Sequence, residues 1–148
     1  MSEDPLVARK IVIEEAEVKD AGAVTRFLRP YVKAKQLLPR TREEMEHLMK
    51  HAFIARSKRK IVGFAAVEIY SRKLAEIQCL AVHPDFQDIG IGRRLVRLCV
   101  GRAKDRGILE VMAISASENL FRSCGFDYSL PYQKRALFVQ PQEHDEAD

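Results

Sequence analysis

The run Gln87-Asp88-Ile89-Gly90-Ile91-Gly92 places two glycines two positions apart, between a β-rich segment and an amphipathic one. Glycines at such a junction permit positive φ and expose bare backbone amides at a helix start, where the N–H groups and the helix dipole favour a phosphate. Arg93 and Arg94 follow at once and add positive charge at the same end. Two familiar phosphate loops are excluded. The dinucleotide pattern Gly-x-Gly-x-x-Gly meets Leu95 at its third position, and no acidic ribose partner closes a following parallel strand. The P-loop requires Gly-Lys-Ser/Thr, whereas Gly92 precedes two arginines. Taken alone, the glycine pair would read first as a turn that merely admits a helix.

Other reactive side chains carry less information. Cys79, Cys99 and Cys124 are odd in number and lack Cys-x-x-Cys spacing, so they read as reduced thiols in or near a core rather than zinc ligands. Cys124 makes a poor nucleophile, with no histidine near it in sequence and apolar neighbours. His47 and His51 fall at i, i+4, a metal-compatible spacing, but no third ligand stands nearby, and His83 before Pro84 reads as a turn residue. No metal is expected.

The elements that must position the glycine loop follow from periodicity. Ile11 to Val18 is β-branched and weakly alternating, a first strand. Asp20 as N-cap opens a helix with its stripe at Ala23, Val24, Phe27 and Leu28, ending at Pro30. Thr41, followed by Glu43 and Glu44, opens a second helix that buries Met45, Leu48, Met49 and Ala52. Phe53 to Ala55 and Lys60 to Tyr70 form a hairpin across the basic turn Arg56 to Arg59, and Leu74 to Val82 extends the meander until His83-Pro84. Gly92 to Arg106 carries Val96, Cys99, Val100 and Ala103 at i, i+3, i+4 and i+7, with Gly107 as its C-terminal glycine. Ile108 to Ser115 reads as a strand, Glu118 to Ser123 as a short helix ended by Gly125, and Arg135 to Val139 as a last strand. Residues 141–148 form an acidic tail.

At 148 residues, with 47% hydrophobic and 31% charged residues, the chain suits one globular domain with its own core. No apolar run reaches the ~18 residues of a membrane span, and the acidic first residues lack a signal core, so a cytoplasmic location is expected. A net charge of +4 suits an anionic small molecule as well as nucleic acid. The basic residues lack interleaved aromatics and there is no tryptophan, which argues against nucleic acid.

The whole run Ala75 to Leu95, AEIQCLAVHPDFQDIGIGRRL, closely resembles the central motif of the GNAT acetyltransferase superfamily, with Gln87, Gly90 and Gly92 at the matching positions. The element order from Ile11 to about Phe138 is similar too. The resemblance implies a single α/β domain whose mixed, mostly antiparallel twisted sheet has about six to seven strands, flanked by about four helices. It implies acetyl-CoA as donor. The pyrophosphate would lie on Gln87, Asp88, Ile89, Gly90, Ile91, Gly92 and Arg93, and the pantetheine arm along Leu80, Ala81 and Val82, with Asn119 touching it. Phe121 stands where many members have a tyrosine that protonates the leaving thiolate, so the thiolate would leave without a side-chain acid or with help from Cys124 or Tyr128.

Within the superfamily the chain is most similar to short N-acetylglutamate synthase-like members, through LLPR at Leu37 to Arg40, CLAVHP at Cys79 to Pro84, and LFRSCGF followed by LP. Acetyl transfer to an amine requires a proton acceptor. Glu76, an acid in the apolar context Leu74-Ala75-Glu76-Ile77, is the candidate base; pairing with an arginine such as Arg72 is its alternative role, and Glu68 is in reserve. Arg40, with Lys33 and Lys35 nearby, would receive the carboxylate of an acidic acceptor, or else form a solvated basic edge. The implied activity is acetylation of a small primary amine, such as an amino acid like glutamate. A non-catalytic acetyl-CoA binder and a peptide or protein N-acetyltransferase are the alternatives, and a homodimer is left open.

Overall fold

A computed structural model describes residues 4–128 and 137–142. Lys60–Ile69 is the strand on which the fold is built, because it is buried almost throughout. Its side chains supply two separate cores: Val62, Ala65 and Val67 face one layer, and Ile61, Phe64 and Ala66 face the other. A strand covered on both sides has no polar face, which is why its sequence is a continuous apolar run.

Five strands form the sheet in the order β1-β2-β3-β4-β5. They are β1 (Ile11–Glu15), β2 (Ala52–Ser57), β3 (Lys60–Ile69), β4 (Leu74–Val82) and β5 (Glu110–Met112). The first three pairings are antiparallel, and β4 pairs with β5 in parallel. Five helices accompany them: α1 (Pro5–Ala8), α2 (Ala21–Lys33), α3 (Arg42–Leu48), α4 (Ile91–Asp105) and α5 (Glu118–Ser123). On one face, α4 buries Leu95, Val96, Cys99 and Ala103; on the other, α2 and α3 bury Val24, Leu28, Met45 and Leu48. Truncating a residue such as Leu95 to alanine would cost about 2–5 kcal/mol. At the head of α3, Thr41 Oγ1 accepts from Glu44 N at 3.1 Å and Glu44 Oε1 from Thr41 N at 2.8 Å, a reciprocal cap.

Several expectations need correction. The described residues hold five strands rather than six to seven, and five helices rather than about four, since Asp4 caps the unforeseen α1 by accepting from Leu6 N at 2.9 Å. The first strand stops at Glu15, and Val18–Asp20 coils into a 3-10 turn. Asp20 holds the N-cap position of α2 as expected, but its carboxylate makes no capping bond: it accepts from Glu17 N at 2.8 Å and pairs with Arg56 at 3.3 Å. α2 runs past Pro30 to Lys33, because Tyr31 anchors the last turn: its hydroxyl donates to Val82 O at 2.7 Å, and its ring packs on Phe27. After α3 a 3-10 turn, Met49–His51, intervenes, and Ala52 belongs to β2. The strand expected from Ile108 to Ser115 shrinks to Glu110–Met112, which has only Leu74, Ala75 and Glu76 to pair with. Of the expected last strand, Arg135 and Ala136 lie outside the described residues, and Leu137 to Val139 are irregular and exposed. Residues 143–148 of the acidic tail also lie outside them.

One irregularity in β4 shapes everything that follows. Ala66 pairs with Gln78 and Phe64 with Ala81, so Cys79 and Leu80 together oppose Ala65, and Cys79 sits at φ 57°. This is a β-bulge, and it exchanges the faces of the strand. Before it, Ala75 and Ile77 enter the α4 core; after it, Cys79 and Ala81 enter the α2/α3 core, while Leu80 and Val82 pack towards α4.

Candidate active site

Gly90 caps α4 with φ 100°, and no atom comes within 4 Å of where its Cβ would be. The turn therefore requires glycine for its backbone conformation, and it leaves open space over the helix start. The first bond of α4 runs from Arg94 N to Gly90 O at 3.1 Å, and no side chain caps the helix. The N–H groups of Ile91, Gly92 and Arg93 precede that bond and have no partner within the helix. The second glycine has another cause: a Cβ on Gly92 would stand 3.3 Å from Leu120 Cδ2, so it admits α5 close against α4.

The remaining loop residues divide by role. Gln87 Nε2 donates to Val82 O at 3.1 Å and ties the loop to the end of β4. Asp88 is exposed, at φ 64°. Ile89 and Ile91 pack on the α4 core, so only their backbones face the turn. Arg93 is exposed with no ion pair among the described residues, whereas Arg94 pairs with Asp4 at 3.5 Å.

β5 ends where it meets Glu76, so from residue 77 onward that edge of β4 has no neighbouring strand among the described residues. Leu80 and Val82 are half-buried there, and Ala81 is buried on the opposite face. An extended chain with amide groups could continue the sheet along this edge. On α5, Asn119 is exposed and Ser117 takes the N-cap position, while Phe121 is buried and meets Phe126 edge-on at 5.2 Å. Cys124 Sγ lies 3.9 Å from Arg93 O, and Tyr128 covers Arg122 at 4.8 Å.

Glu76 stands at the parting of β4 and β5, half-buried, and its register partner across β3 is Glu68. It does not pair with Arg72. Tyr70, at the end of β3, donates its hydroxyl to Glu76 Oε1 at 2.6 Å and accepts from Gln78 Nε2 at 3.1 Å. Gln78 Oε1 in turn accepts from Arg40 Nη2. These bonds form one directed chain, Arg40 to Gln78 to Tyr70 to Glu76. Burial first, then the bond to Glu76 and the charges of Glu76 and Glu68, push the Tyr70 phenol up to about 12. It therefore stays protonated, and Glu76 keeps its donor at any working pH. Sequence reading missed Tyr70 and Gln78; the period-2 spacing of Glu76 and Gln78 was the available signal for the second.

Arg40 is half-buried, and its Nε donates to Cys79 Sγ at 3.2 Å. Both of its hydrogen-bond partners are neutral, and among the described residues it forms no ion pair, although its charge reaches the Glu44 carboxylate. Lys33 and Lys35 are exposed. A cleft of about 260 Å³ opens beside Arg40, between α2 and the start of α3.

The other reactive groups stay apart from this chemistry. Arg102 Nη1 lies 3.0 Å from His51 Nδ1, and the described residues hold no group of three or more His, Cys, Asp or Glu placed for a metal. Burial pushes the Cys99 thiol up to about 12 and raises that of Cys79 as well. Among the described residues no helix is long and apolar enough to cross a membrane.

Comparison with known proteins gives concordant results. The model of the acetyltransferase (GNAT) family matches residues 22–126. An uncharacterized N-acetyltransferase of Chlorobaculum tepidum is 31% identical over 114 residues, 77% of this chain and 74% of its own. An amino-acid acetyltransferase of Vibrio vulnificus is 30% identical over 132 residues, 85% of this chain but only 30% of its own length. The chain thus spans under a third of that relative. N-acetylglutamate synthase from Neisseria gonorrhoeae, complexed with coenzyme A and N-acetyl-glutamate, superposes with a TM-score of 0.67 at 29% identity, over 76% of this chain and 27% of its own.

Proposed function

The chain belongs to the acetyltransferase (GNAT) family, an acetyl-CoA-dependent N-acetyltransferase by that membership, and from this premise we propose that its acceptor is a small primary amine bearing a carboxylate, such as the amino acid glutamate. The observation that carries the reading is positional. The Glu76 carboxylate stands where β4 and β5 part, the free edge of β4 runs on from there, and the far end of that edge, at Val82, meets the open start of α4 at Gly92.

The residues present fit the donor. The amides of Ile91, Gly92 and Arg93, with the exposed Arg93 guanidinium, hold the pyrophosphate, and the edge formed by Leu80, Ala81 and Val82 pairs with the pantetheine arm. Acetyl-CoA supplies an activated thioester. Glu76 removes the proton from the incoming ammonium, directly or through water, and Tyr70 fixes the carboxylate in place. The amine nitrogen would bond to the acetyl carbon as the carbon–sulfur bond breaks, the second nitrogen proton passing through water to solvent or to the departing thiolate, and the backbone near Leu80 would be available to the carbonyl oxygen. Phe121, buried against Phe126, offers no proton, so the thiolate leaves without one from this position. Arg40 receives the acceptor carboxylate. The resemblance of LLPR and the glutamate-derived ligand of the Neisseria relative support that role.

Turnover of acetyl-CoA against a panel of amines tests the proposal. Glutamate should be acetylated in preference to a neutral amine of similar size. Arg40→Ala removes a charge-assisted contact worth about 1.5–3 kcal/mol, a loss of roughly 10- to 150-fold in kcat/KM confined to carboxylate-bearing acceptors. Equal losses on both amines would assign Arg40 to structure, and no loss would leave it a surface charge.

A further inference from the structure

The cleft beside Arg40 is lined by Gly22, Thr25, Arg26, Arg29, Arg40 and Arg42, four arginines and no acid. Two of the four guanidinium groups converge. Arg26 Nη1 and Arg42 Nη1 lie 3.6 and 3.9 Å from the single point where a Cβ on Gly22 would stand. Like charges crowd in this way at an exposed surface only against mutual repulsion, and an anion between them removes it. Glu46 holds Arg42 through Nε at 3.0 Å, so the Nη1 side of that fork is steered over Gly22 rather than left to rotate. Arg26 and Arg29 have no ion pair among the described residues.

Charge counting names the guest. Arg40 answers one carboxylate. Arg26, Arg29 and Arg42, less the charge of Glu46, leave two positive charges, which match a phosphate dianion better than a second carboxylate. We propose that this cleft binds a phosphomonoester at the distal end of the acceptor, so that the preferred acceptor is an amino acid carrying a phosphate as well as its α-carboxylate. The inference rests on the acetyl-transfer reading above and refines its acceptor class. The geometry is continuous: Arg40 lines the cleft and also bonds Gln78, which stands two residues from Glu76 on β4. An acceptor with its amine at the base and its carboxylate on Arg40 would direct its distal end towards the arginine cluster.

The test uses L-serine, L-glutamate and O-phospho-L-serine, which share an α-amine and α-carboxylate and carry distal charges of 0, −1 and about −2 at pH 8. We expect kcat/KM to rise in that order, with phosphoserine at least about tenfold above glutamate, and inorganic phosphate to compete with the acceptor but not with acetyl-CoA. In the double variant Arg26→Ala, Arg29→Ala the phosphoserine-to-serine ratio should collapse to within about threefold, mainly through KM, and the paired lysine variant should restore part of it. Glutamate equal to or better than phosphoserine overturns the proposal, as does a ratio that survives in the double variant. Calorimetric titration with inorganic phosphate separates the two levels of inference. Phosphate binding that is lost in the double variant, in a protein that acetylates no amine, would sink the transfer reading and uphold the cleft. Acetylation of serine without phosphate binding would reject the cleft alone.

Discussion

Replacing Glu76 by glutamine exchanges one oxygen for an NH2 group and leaves the shape of the site unchanged. The amide oxygen can still accept the Tyr70 hydroxyl that now reaches Oε1 at 2.6 Å, so the chain back to Arg40 persists. What disappears is proton affinity. A positioned base contributes about 10²- to 10⁴-fold, so kcat at neutral pH should fall by on the order of 10²-fold or more. The residual rate should climb about tenfold per pH unit below the pKa of the acceptor amine, since only the neutral fraction can attack. Stability moves the other way. Glu76 faces Glu68 directly across β3 and β4, and like charges so placed cost about 0.2–1 kcal/mol, a cost the substitution removes. For a chain of this size that corresponds to an unchanged Tm or a gain of up to about 4 °C. Steady-state kinetics, a pH–rate profile and a thermal melt on the same preparation give all three readings, with acetyl-CoA binding retained. A kcat within threefold of wild type would refute the assignment and transfer attention to Glu68→Gln. A large loss accompanied by a fall of many degrees in Tm would mean that the carboxylate supports folding rather than chemistry.

Saturating acetyl-CoA at about 100 times its dissociation constant should add roughly 2.7 kcal/mol and raise Tm by about 5–10 °C; Gly90→Asp, which sets a carboxylate over the first amides of α4, should abolish the rise, measured from the variant's own baseline Tm, which strain at φ 100° lowers. A thiol reagent should modify the half-buried Cys124 first and Cys99 only on unfolding, so Cys124→Ser should remove the fast phase; a fast phase that remains would contradict the burial pattern. Burial, followed by the charges of Arg106 and Arg102, lowers the pKa of His51, so the unfolded chain binds more protons than the folded one between the lowered value and about 6.5. The His51 contribution is complete above about pH 6.5 and is lost as pH falls through the lowered value; Tm between pH 7 and 5 should therefore drop less steeply in His51→Gln, and an unchanged slope would exclude the coupling.

The parts of this molecule that sequence reading reached are those whose cause is local. The stripe Val96, Cys99, Ala103 and the acids Glu43 and Glu44 just after Thr41 are written within a few residues of themselves, and α4 and α3 appear where those patterns place them, the reciprocal cap of Thr41 and Glu44 being added by the structure. The continuous run of β3 announced burial on both sides. The bulge gave no comparable sign, because the positive φ falls on Cys79 rather than on glycine and is imposed by pairing with β3. The bond from Tyr70 to Glu76 depends on the turn between two strands, and the chain onward to Arg40 depends on the loop that leads into α3. Gly92 shows the limit from the other direction. Its place in the glycine motif was legible, but its proximity to Leu120 arises from a helix that begins 26 residues later, at Glu118.

The extra residue in β4 also bears on how such a site can change over time. Substitutions from Cys79 to Val82 alter side chains but keep the count, and the free edge is made of backbone that any of them would provide. Deleting one residue at the bulge would restore regular alternation with Leu80 and Val82 still on the α4 side, but it would align β4 along its whole length with β3 and remove the bend that the bulge puts into its free edge. Drift in sequence is therefore cheap on this strand and drift in length is not, so descendants of this chain can exchange acceptors by redecorating the cleft while the donor track is inherited intact as a number of residues.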